Sequence, residues 1–199
     1  MTLLKTRLIE ANECVLVVID MQDSFFNKYE REKSQAVISK TAWLIRAANS
    51  IGIPIVPMAE DIPNSGPLNE KITAALPAEA HVFNKDVFGC GDQPEILEAI
   101  KATGRNTAVL VGMETDVCVA HSALSLMGKG YDVVVVADAT ITTAADQEIG
   151  LMRIRDAGGV LCSVKSIYYE WLRSVSGCYA LLDVNTDLEA RDLPPTVVL

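Results

Sequence analysis

Short apolar runs alternate with amphipathic segments along almost the whole chain. The runs are continuous and rich in Val, Ile and Leu, and they predict buried strands at residues 14–19, 53–57, 81–83, 107–111, 132–137 and 160–163. Between them apolar residues recur three or four positions apart, which predicts helices at residues 34–50, 94–101, 145–157 and 165–174, and one that begins around Cys118. This order predicts a three-layer, doubly wound α/β domain with a mostly parallel sheet of about six strands.

The whole chain, residues 1–199, is predicted to form one domain, because Gly and Pro fall between the predicted elements and no linker or internal repeat is present. The segment 177–199 differs from the rest, since it is acidic, rich in turn-forming residues and ends in Leu-Pro-Pro-Thr-Val-Val-Leu. We predict that this segment is an extended C-terminal arm that either packs on a neighbouring subunit or frays.

The composition and the net charge of the chain limit the classes of partner that it is expected to bind. The net charge of −9, without a basic cluster, argues against nucleic acid or an anionic membrane surface as a partner. No apolar run is long enough to span a bilayer. Residues 1–7 lack the features of a signal peptide, and the five cysteines lack paired spacing, which is typical of a reducing compartment. We therefore expect a cytoplasmic protein that acts on a small molecule.

Three chemically reactive side chains fall where predicted strands end. Asp20 follows the first strand, Lys85 the third and Cys118 the fourth. Because open α/β sheets bind ligands at the carboxyl ends of their strands, a carboxylate, an ammonium and a thiol should converge on one rim. Asp138 also ends a strand, but an aspartate before a small residue and Thr is typical of a turn or a helix cap.

Cys118 lies at a junction between a buried strand and a predicted helix. The unpaired N–H groups and the partial positive charge of a helix N-terminus would stabilise a thiolate and the oxyanion that its attack creates. Thr115 or Asp116 could cap this helix, and the sequence leaves the choice open. A cysteine at such a junction is often only a packing residue, so its role depends on the other residues of the rim.

The most distinctive motifs are Gly-Met-Glu-Thr-Asp-Val-Cys-Val, at residues 112–119, and Gly-Lys-Gly-Tyr-Asp-Val-Val-Val-Val-Ala-Asp-Ala-Thr, at residues 128–140. Asp-Met-Gln-Asp-Ser-Phe, at residues 20–25, and the segment around Lys85 accompany them. Together these motifs resemble the isochorismatase-like cysteine hydrolases, a family that also includes nicotinamidases and N-carbamoylsarcosine amidases. The resemblance covers nearly the whole chain.

The resemblance implies that Asp20, Lys85 and Cys118 form a catalytic triad. It also implies a cis peptide bond between Met113 and Glu114, which would aim the backbone N–H groups of Glu114 and Cys118 into an oxyanion hole. Asp20 would take the thiol proton and return it to a leaving amine, while Lys85 would keep Asp20 ionised and help to stabilise the thiolate. Members of this family are usually oligomers, so we also expect a homo-oligomer, either a dimer or a tetramer.

Five further residues are candidates for the pocket: Gln22, Phe25, Phe26, Phe88 and His121. Gln22 resembles the glutamine that follows the first strand in family members, where a structural hydrogen bond is its expected role. The three Phe residues could line the pocket or belong to the core. His121, one turn beyond the candidate nucleophile, could reach the rim or pack within its helix.

Nicotinamidases of this family bind a metal through an aspartate and several histidines in the loop after the second strand. Here that loop, residues 58–66, reads Met-Ala-Glu-Asp-Ile-Pro-Asn-Ser-Gly and contains no histidine. The two histidines of the chain, His81 and His121, cannot complete such a site. We therefore predict no metal and no other cofactor, with Glu60 and Asp61 as solvated loop acids that could hold a cation only weakly.

Three functions remain open. The first is a metal-independent cysteine hydrolase that cleaves a C–N bond of a small amide, carbamoyl or ureido compound through a thioester-type intermediate. The second is an isochorismatase-type hydrolase of a vinyl ether, in which Asp20 acts as the acid and the thiol is not needed. The third is a protein without this catalysis, either an idle subunit or a thiol-redox protein that uses Cys118 and Cys90. The presence of both Lys85 and Cys118 favours the first.

Overall fold

A computed structural model describes residues 7–184 and Leu188. Its strands are β1 (Cys14–Ile19), β2 (Ile55–Glu60), β3 (Phe83–Lys85), β4 (Thr107–Met113), β5 (Asp132–Ile141) and β6 (Val160–Cys162). They form one parallel sheet in the order β3-β2-β1-β4-β5-β6. The strand order reverses at β1 and β4, which opens a crevice at the carboxyl ends of these two strands.

Helices cover both faces of the sheet. They are α1 (Asp23–Phe26), α2 (Arg31–Ile51), α3 (Ile62–Ser65), α4 (Glu70–Ala75), α5 (Pro94–Ala102), α6 (Ala120–Gly128), α7 (Ala144–Asp156), α8 (Val164–Leu172) and α9 (Val175–Val184). Leu16 and Val18 of β1 pack with α2, α4 and α8, whereas Val17 and Ile19 pack with α5, α6 and α7, because successive side chains of a strand point to opposite faces. The predicted three-layer α/β fold is therefore confirmed. Among the described residues, no helix combines the length and the apolar character needed to cross a membrane.

β2 and β3 both reach further toward the carboxyl edge than predicted. β2 ends at Glu60 rather than Pro57, and β3 covers Phe83–Lys85 rather than residues 81–83. The ends of the two strands support each other, since Glu60 lies opposite Lys85 in the parallel ladder. Lys85 is therefore the last residue of a strand and not a residue of the loop that follows one.

The beginning of the predicted C-terminal arm is helical. α9 packs against α8, and Leu181 belongs to the core, so the prediction of an extended segment is wrong for residues 177–184. Leu188 is also buried, and its carbonyl accepts a hydrogen bond of 3.3 Å from Trp43 Nε1. Burial of these leucines on the sheet-covering helices stabilises a helix where turn-forming residues had indicated an arm. The rest of the predicted arm, residues 185–187 and 189–199, lies outside the described chain.

Candidate active site

The carboxyl edge of the sheet brings together four side chains from four adjacent strands. Asp20 follows β1, Glu60 ends β2, Lys85 ends β3, and Cys118 lies in the turn after β4. Because these strands are neighbours in the sheet and run in parallel, their carboxyl ends lie side by side. The structure thus brings the three candidate triad residues together and adds a second carboxylate.

Lys85 Nζ is the centre of this cluster. It lies 3.0 Å from Asp20 Oδ2, 3.1 Å from Glu60 Oε2 and 3.6 Å from Cys118 Sγ, and it donates a hydrogen bond of 2.8 Å to the Val87 carbonyl. The lysine side chain is completely buried. Since an unpaired buried charge is strongly destabilising, the two carboxylates and the carbonyl explain how an ammonium can occupy this position.

Asp20 is a buried carboxylate in an unusual backbone conformation. Its φ of 51° lies in the left-handed region, which costs a residue other than glycine about 1 kcal/mol or more. Burial raises the pKa of its carboxyl from 3.8 to about 7, although the Lys85 ammonium acts in the opposite direction. Oδ2 is ion-paired with Lys85, but neither oxygen accepts a well-formed hydrogen bond from the described residues. Asp20 therefore has lone pairs available for a proton.

The surroundings of Cys118 favour its protonated thiol. Burial raises the pKa of the thiol, and the negative charges of Asp20 and Glu60 raise it further against the opposing effect of Lys85. Sγ donates a hydrogen bond of 3.2 Å to Glu60 Oε2. The protonated thiol is therefore the favoured form in the folded protein, and the sulfur would need a base to remove its proton before it could act as a nucleophile.

Cys118 does not stand in the first turn of an α-helix. A π-helical turn, Thr115–Val119, carries it, and α6 begins only afterwards. Neither Thr115 nor Asp116 caps this turn, and the Thr115 hydroxyl donates instead to Gln147 Oε1 of α7, at 2.8 Å. This hydrogen bond to α7 holds the turn in place. The structure therefore has a π-helical segment where the sequence predicted the start of an α-helix.

The end of β4 approaches β1 very closely. Gly112 has a φ of 126°, and a Cβ at this position would lie 1.9 Å from the carbonyl oxygen of Ile19. The two residues pair in the parallel ladder, which places the end of β4 beside Asp20. The following peptide bond, between Met113 and Glu114, is cis, as the resemblance implies.

Gln22 fixes the end of β2 and does not line the pocket. Its Nε2 donates to the carbonyls of Glu60, at 2.9 Å, and Gly66, at 2.7 Å, and its Oε1 accepts from the Glu60 N–H at 2.8 Å. This buried amide therefore holds the backbone from which the Glu60 side chain reaches into the cluster. Gln22 therefore has the structural role that was expected for it, and it does not take the alternative place in the pocket, because its polar atoms are bonded to the backbone of β2 and of the loop beyond it.

A cavity of about 100 Å³ opens at the cluster. Phe25 and Phe88 line it, together with Asp20, Lys28, Glu60, Met113, Glu114, Val117 and Cys118. Phe26 does not line it, because this side chain is buried in the core. His121 does not line it either, since it is exposed and its ring packs edge-on against Phe88, with 5.9 Å between the ring centroids. The cavity has room for a small molecule.

Glu114 is bound by two neighbours at the side of the cavity. Tyr29 OH donates a hydrogen bond to Glu114 Oε1, and Lys28 Nζ lies 3.5 Å from the same oxygen. Lys28 also lies over the ring of Phe25, 4.7 Å from its centroid. The cavity at the thiol is therefore also lined by a cation and an aromatic ring.

The cluster does not suit a metal ion. Asp20, Glu60 and Cys118 offer ligand atoms that lie within 4.8 Å of one another. Lys85 Nζ, however, contacts all three at 3.0 to 3.6 Å and so takes the position that a cation would need. No histidine contributes to this group, which leaves a donor set with one thiol, two carboxylates and an ammonium at its centre.

Two of the cavities that are larger than this one lie away from the cluster, beside His81 and Asp138. One, of about 510 Å³, is lined by the start of β2 and by Pro77 and His81. The other, of about 430 Å³, lies between α2 and the end of β5, where Lys40 and Asp138 form an ion pair of 2.9 Å. Asp138 also accepts a hydrogen bond of 2.8 Å from the Val164 N–H at the start of α8. It lies within β5, and the cap of α8 is Ser163, so the turn or helix cap that the sequence favoured at Asp138 is wrong. Neither cavity is lined by a cysteine.

Cys90 belongs to the core. It is fully buried in the apolar layer that also contains Cys118, and it does not line the 100 Å³ cavity. Burial raises the pKa of its thiol to about 11. Its N–H donates to Ser122 Oγ at 3.0 Å. These are the properties of a packing residue and not of a redox-active thiol, which is usually accessible and of low pKa.

Glu60 lies in the cluster and not, as its sequence position indicates, in a solvated loop. A solvated loop acid was expected, but its side chain is only 24% exposed and contacts both Lys85 and Cys118. The available signal was the sequence Ile-Val-Pro-Met-Ala-Glu, Ile55–Glu60, which stays apolar up to the glutamate. Continuation of the strand through Pro57 would have placed Glu60 on the same edge as Asp20.

Comparison with known protein sequences points to one family. A family model described as the isochorismatase domain matches residues 14–166. The secreted isochorismatase effector Isc1 of Phytophthora sojae is 31% identical over 161 residues, which cover 78% of this chain and 75% of the relative. The probable hydrolase YcaC of Escherichia coli is 30% identical over 125 residues, which cover 59% of each chain.

Solved structures share the fold. The MAR1 ribonuclease of Caenorhabditis elegans gives a TM-score of 0.83 at 21% identity, over 97% of each chain. YcaC of Escherichia coli, described as an octameric hydrolase of unknown specificity, gives 0.78 at 24% identity, over 92% of this chain and 93% of the other. N-carbamoylsarcosine amidase of Thermoplasma acidophilum gives 0.64 at 21% identity, over 76% and 96%. Because the family model spans residues 14–166, more than half of the sequence, the chain belongs to the isochorismatase family of hydrolases.

Proposed function

We propose that the protein is a metal-independent cysteine hydrolase that cleaves the C–N bond of a small amide, carbamoyl or ureido compound. The observation that carries this proposal is the position of Lys85 Nζ, 3.0 Å from the Asp20 carboxylate and 3.6 Å from the Cys118 thiol, at a cavity of about 100 Å³. A base, a cation and a thiol in this arrangement are what nucleophilic acyl transfer requires.

In the first step Asp20 takes the proton of the Cys118 thiol, and the sulfur attacks the carbonyl carbon of the substrate. A base is needed because the pKa of the thiol is raised by burial and by nearby negative charge. The backbone N–H groups of Glu114 and Cys118 are the proposed donors to the oxyanion. By analogy with other acyl-transfer sites, each such donor contributes about 3 kcal/mol to the stability of the transition state.

In the second step the tetrahedral intermediate collapses to a thioester. The C–N bond breaks, and the leaving nitrogen takes the proton that Asp20 received from the thiol. The pKa of about 7 for the Asp20 carboxyl, which results from its burial, suits a group that must both accept and donate a proton near neutral pH. Water then hydrolyses the thioester and restores the Cys118 thiol.

A second candidate is an isochorismatase-type hydrolysis of a vinyl ether, in which Asp20 supplies a proton to the substrate. It is favoured by the same raised pKa of about 7, because a substantial fraction of the Asp20 carboxyl is then protonated at neutral pH. This reaction needs neither the nucleophilicity of Cys118 nor a covalent intermediate.

We also propose a homo-oligomer in the cytoplasm, with a small molecule as substrate. The octameric state that is described for YcaC of Escherichia coli supports the oligomer. The relative in Phytophthora sojae is described as secreted, so the location needs its own test. Sedimentation of the full chain and fractionation of cells that express it test the two statements, and a monomer or a protein found only outside the cells would contradict them.

Ammonia release from a panel of small amides, carbamoyl compounds and ureido acids tests the proposed reaction. The assay compares the wild type with Cys118→Ala and with Cys178→Ala, whose thiol lies in α9 away from the cavity. Activity on an amide that disappears only in Cys118→Ala supports the thiol mechanism. Isochorismate, followed by product detection, belongs in the same panel. Its turnover by Cys118→Ala, together with no ammonia from any amide, would replace the first proposal by the second.

A further inference from the structure

Glu60 has a position in the cluster that the proposed acylation does not use. Its Oε2 accepts hydrogen bonds from Lys85 Nζ, at 3.1 Å, and from Cys118 Sγ, at 3.2 Å. Its side chain is 24% exposed, whereas that of Asp20 is 2% exposed and that of Lys85 is completely buried. Glu60 is therefore the carboxylate of the cluster that both touches the sulfur and meets solvent.

Acylation of the sulfur changes the surroundings of Glu60. In the free protein the thiol proton occupies one acceptor position of Oε2. A thioester has no S–H, so this position loses its donor while the contact with Lys85 remains. A buried or half-buried carboxylate that loses a donor favours a replacement, and water from the open cavity is the donor at hand.

We propose that Glu60 positions and deprotonates the water that hydrolyses the acyl-thioester on Cys118. The inference rests on the thiol mechanism proposed above, and it divides the proton transfers between two carboxylates. Asp20 serves the acylation half-reaction, in which the proton passes from the thiol to the leaving nitrogen. Glu60 serves the deacylation half-reaction, in which the attacking water must lose a proton.

The proton balance of the second half-reaction closes within the cluster. One O–H bond of the water breaks, its proton goes to a Glu60 oxygen, and the new C–O bond forms at the thioester carbon. The C–S bond then breaks, and the departing sulfur takes the proton from Glu60, across the 3.2 Å that separate Oε2 from Sγ in the free protein. The carboxylic acid product leaves with the second water proton, which it releases to solvent, and the thiol again donates to Glu60.

The charged groups around Glu60 fit this role. Lys85, at the end of β3, forms an ion pair with the Glu60 carboxylate. Asp20, which follows β1, and Cys118, in the turn after β4, lie close to the same carboxylate. Lys28 and Glu114 line the same cavity and pair with each other. Lys85 therefore supplies the cation that directly balances Glu60, and it keeps this contact whether the sulfur carries a proton or an acyl group.

The test uses Glu60→Gln, which keeps the size and the polar end of the side chain but cannot take a proton. The matched control is Asp61→Asn, which removes the same charge from the next residue, where the carboxylate binds Asn64 Nδ2 at 2.8 Å and 3.0 Å outside the cluster. Stopped-flow hydrolysis of p-nitrophenyl acetate separates the release of p-nitrophenolate, which reports acylation, from the steady state, which reports deacylation. Intact-protein mass spectrometry detects an acetyl group on Cys118.

For Glu60→Gln we expect a burst of p-nitrophenolate at nearly the wild-type rate, followed by a kcat that is lower by about 100-fold or more. KM should fall with kcat, so that kcat/KM is preserved, and acetylated Cys118 should accumulate. Asp61→Asn should behave as the wild type does. An unchanged kcat in Glu60→Gln, or a loss of kcat/KM without acetylated Cys118, would overturn the role of Glu60. Undiminished turnover by Cys118→Ala would overturn the thiol mechanism itself, so the two failures are distinguishable.

Discussion

Replacement of Asp20 by Asn should change how the stability of the protein depends on pH. Burial raises the pKa of the folded carboxyl to about 7, whereas its ordinary value is 3.8. Between these pH values the folded state holds a proton that the unfolded state has released, so the free energy of unfolding falls as the pH rises. The two pKa values correspond to a loss of about 4 kcal/mol, which is absent below the lower value and complete above the upper one.

The Asp20→Asn variant should lack this loss. Asn is uncharged at every pH in this range, has nearly the shape of Asp, and tolerates the left-handed φ of 51° better than most residues. Lys85 keeps Glu60 and the Val87 carbonyl as partners, so the ammonium is still compensated in the variant. Relative to Asp20→Asn, the wild type should therefore lose about 4 kcal/mol of stability between pH 4 and pH 8.

Urea unfolding of both proteins, followed by circular dichroism at each pH from 4 to 8, measures this difference directly. Groups that titrate in the same way in both proteins cancel when one free energy of unfolding is subtracted from the other. A difference that stays constant would mean that burial does not control the protonation of Asp20. A difference that favours the wild type as the pH rises would mean that the ion pair with Lys85 outweighs burial, and either result would refute the reasoning.

Three further predictions concern the pH dependence of the reaction and the backbone that supports the site. For an amide substrate, kcat/KM should fall by about tenfold per pH unit below pH 7, because Asp20 takes up a proton there. For a vinyl ether substrate, which needs the acid form of Asp20, kcat/KM should instead fall above pH 7. A pH–rate profile distinguishes the two reactions, and a flat profile would contradict both. Gly112→Ala should lower the free energy of unfolding in urea by about 3 kcal/mol or more because of its clash with the Ile19 carbonyl, whereas Gly52→Ala, with a φ of 83° and open space, should lose only about 1 kcal/mol. Gln22→Leu should lose about 2 to 3 kcal/mol in the same assay, since it leaves buried backbone groups unpaired, and an unchanged urea midpoint would show that these groups need no side-chain partner.

The convergence of Asp20, Lys85 and Cys118 was accessible from sequence because it depends on few facts. Each residue stands at or just beyond the end of an apolar run, and parallel strands place such ends on one edge of a sheet. The register did not have to be known, and an error of two residues in the bounds of β3 left Lys85 at the same edge. Pattern and topology alone therefore predict which side chains meet.

The electrostatics of the cluster could not be obtained in this way. Pro57 was interpreted as the end of a strand, but it pairs with Val18 in the ladder and β2 continues to Glu60. The stabilisation of a thiolate was expected from a helix N-terminus and from Lys85, whereas the pKa of Cys118 depends most on its burial and on the charge of Asp20, nearly a hundred residues away in the chain. Burial and long-range contacts decide protonation, and a sequence pattern gives neither.

In the proposed reaction the cluster moves a negative charge without creating one. When the proton passes from Cys118 to Asp20, a carboxylate becomes neutral and a thiol becomes negative, so the net charge near Lys85 does not change. Burial raises the pKa of both groups, because it disfavours a charge on either of them. This cost of a buried charge therefore largely cancels when the proton passes from the thiol to the carboxylate. The charge of Asp20, which also raises the pKa of the thiol, disappears in the same step. A thiolate therefore forms together with a protonated Asp20, and the acid that the leaving nitrogen needs is in place as soon as the sulfur can attack.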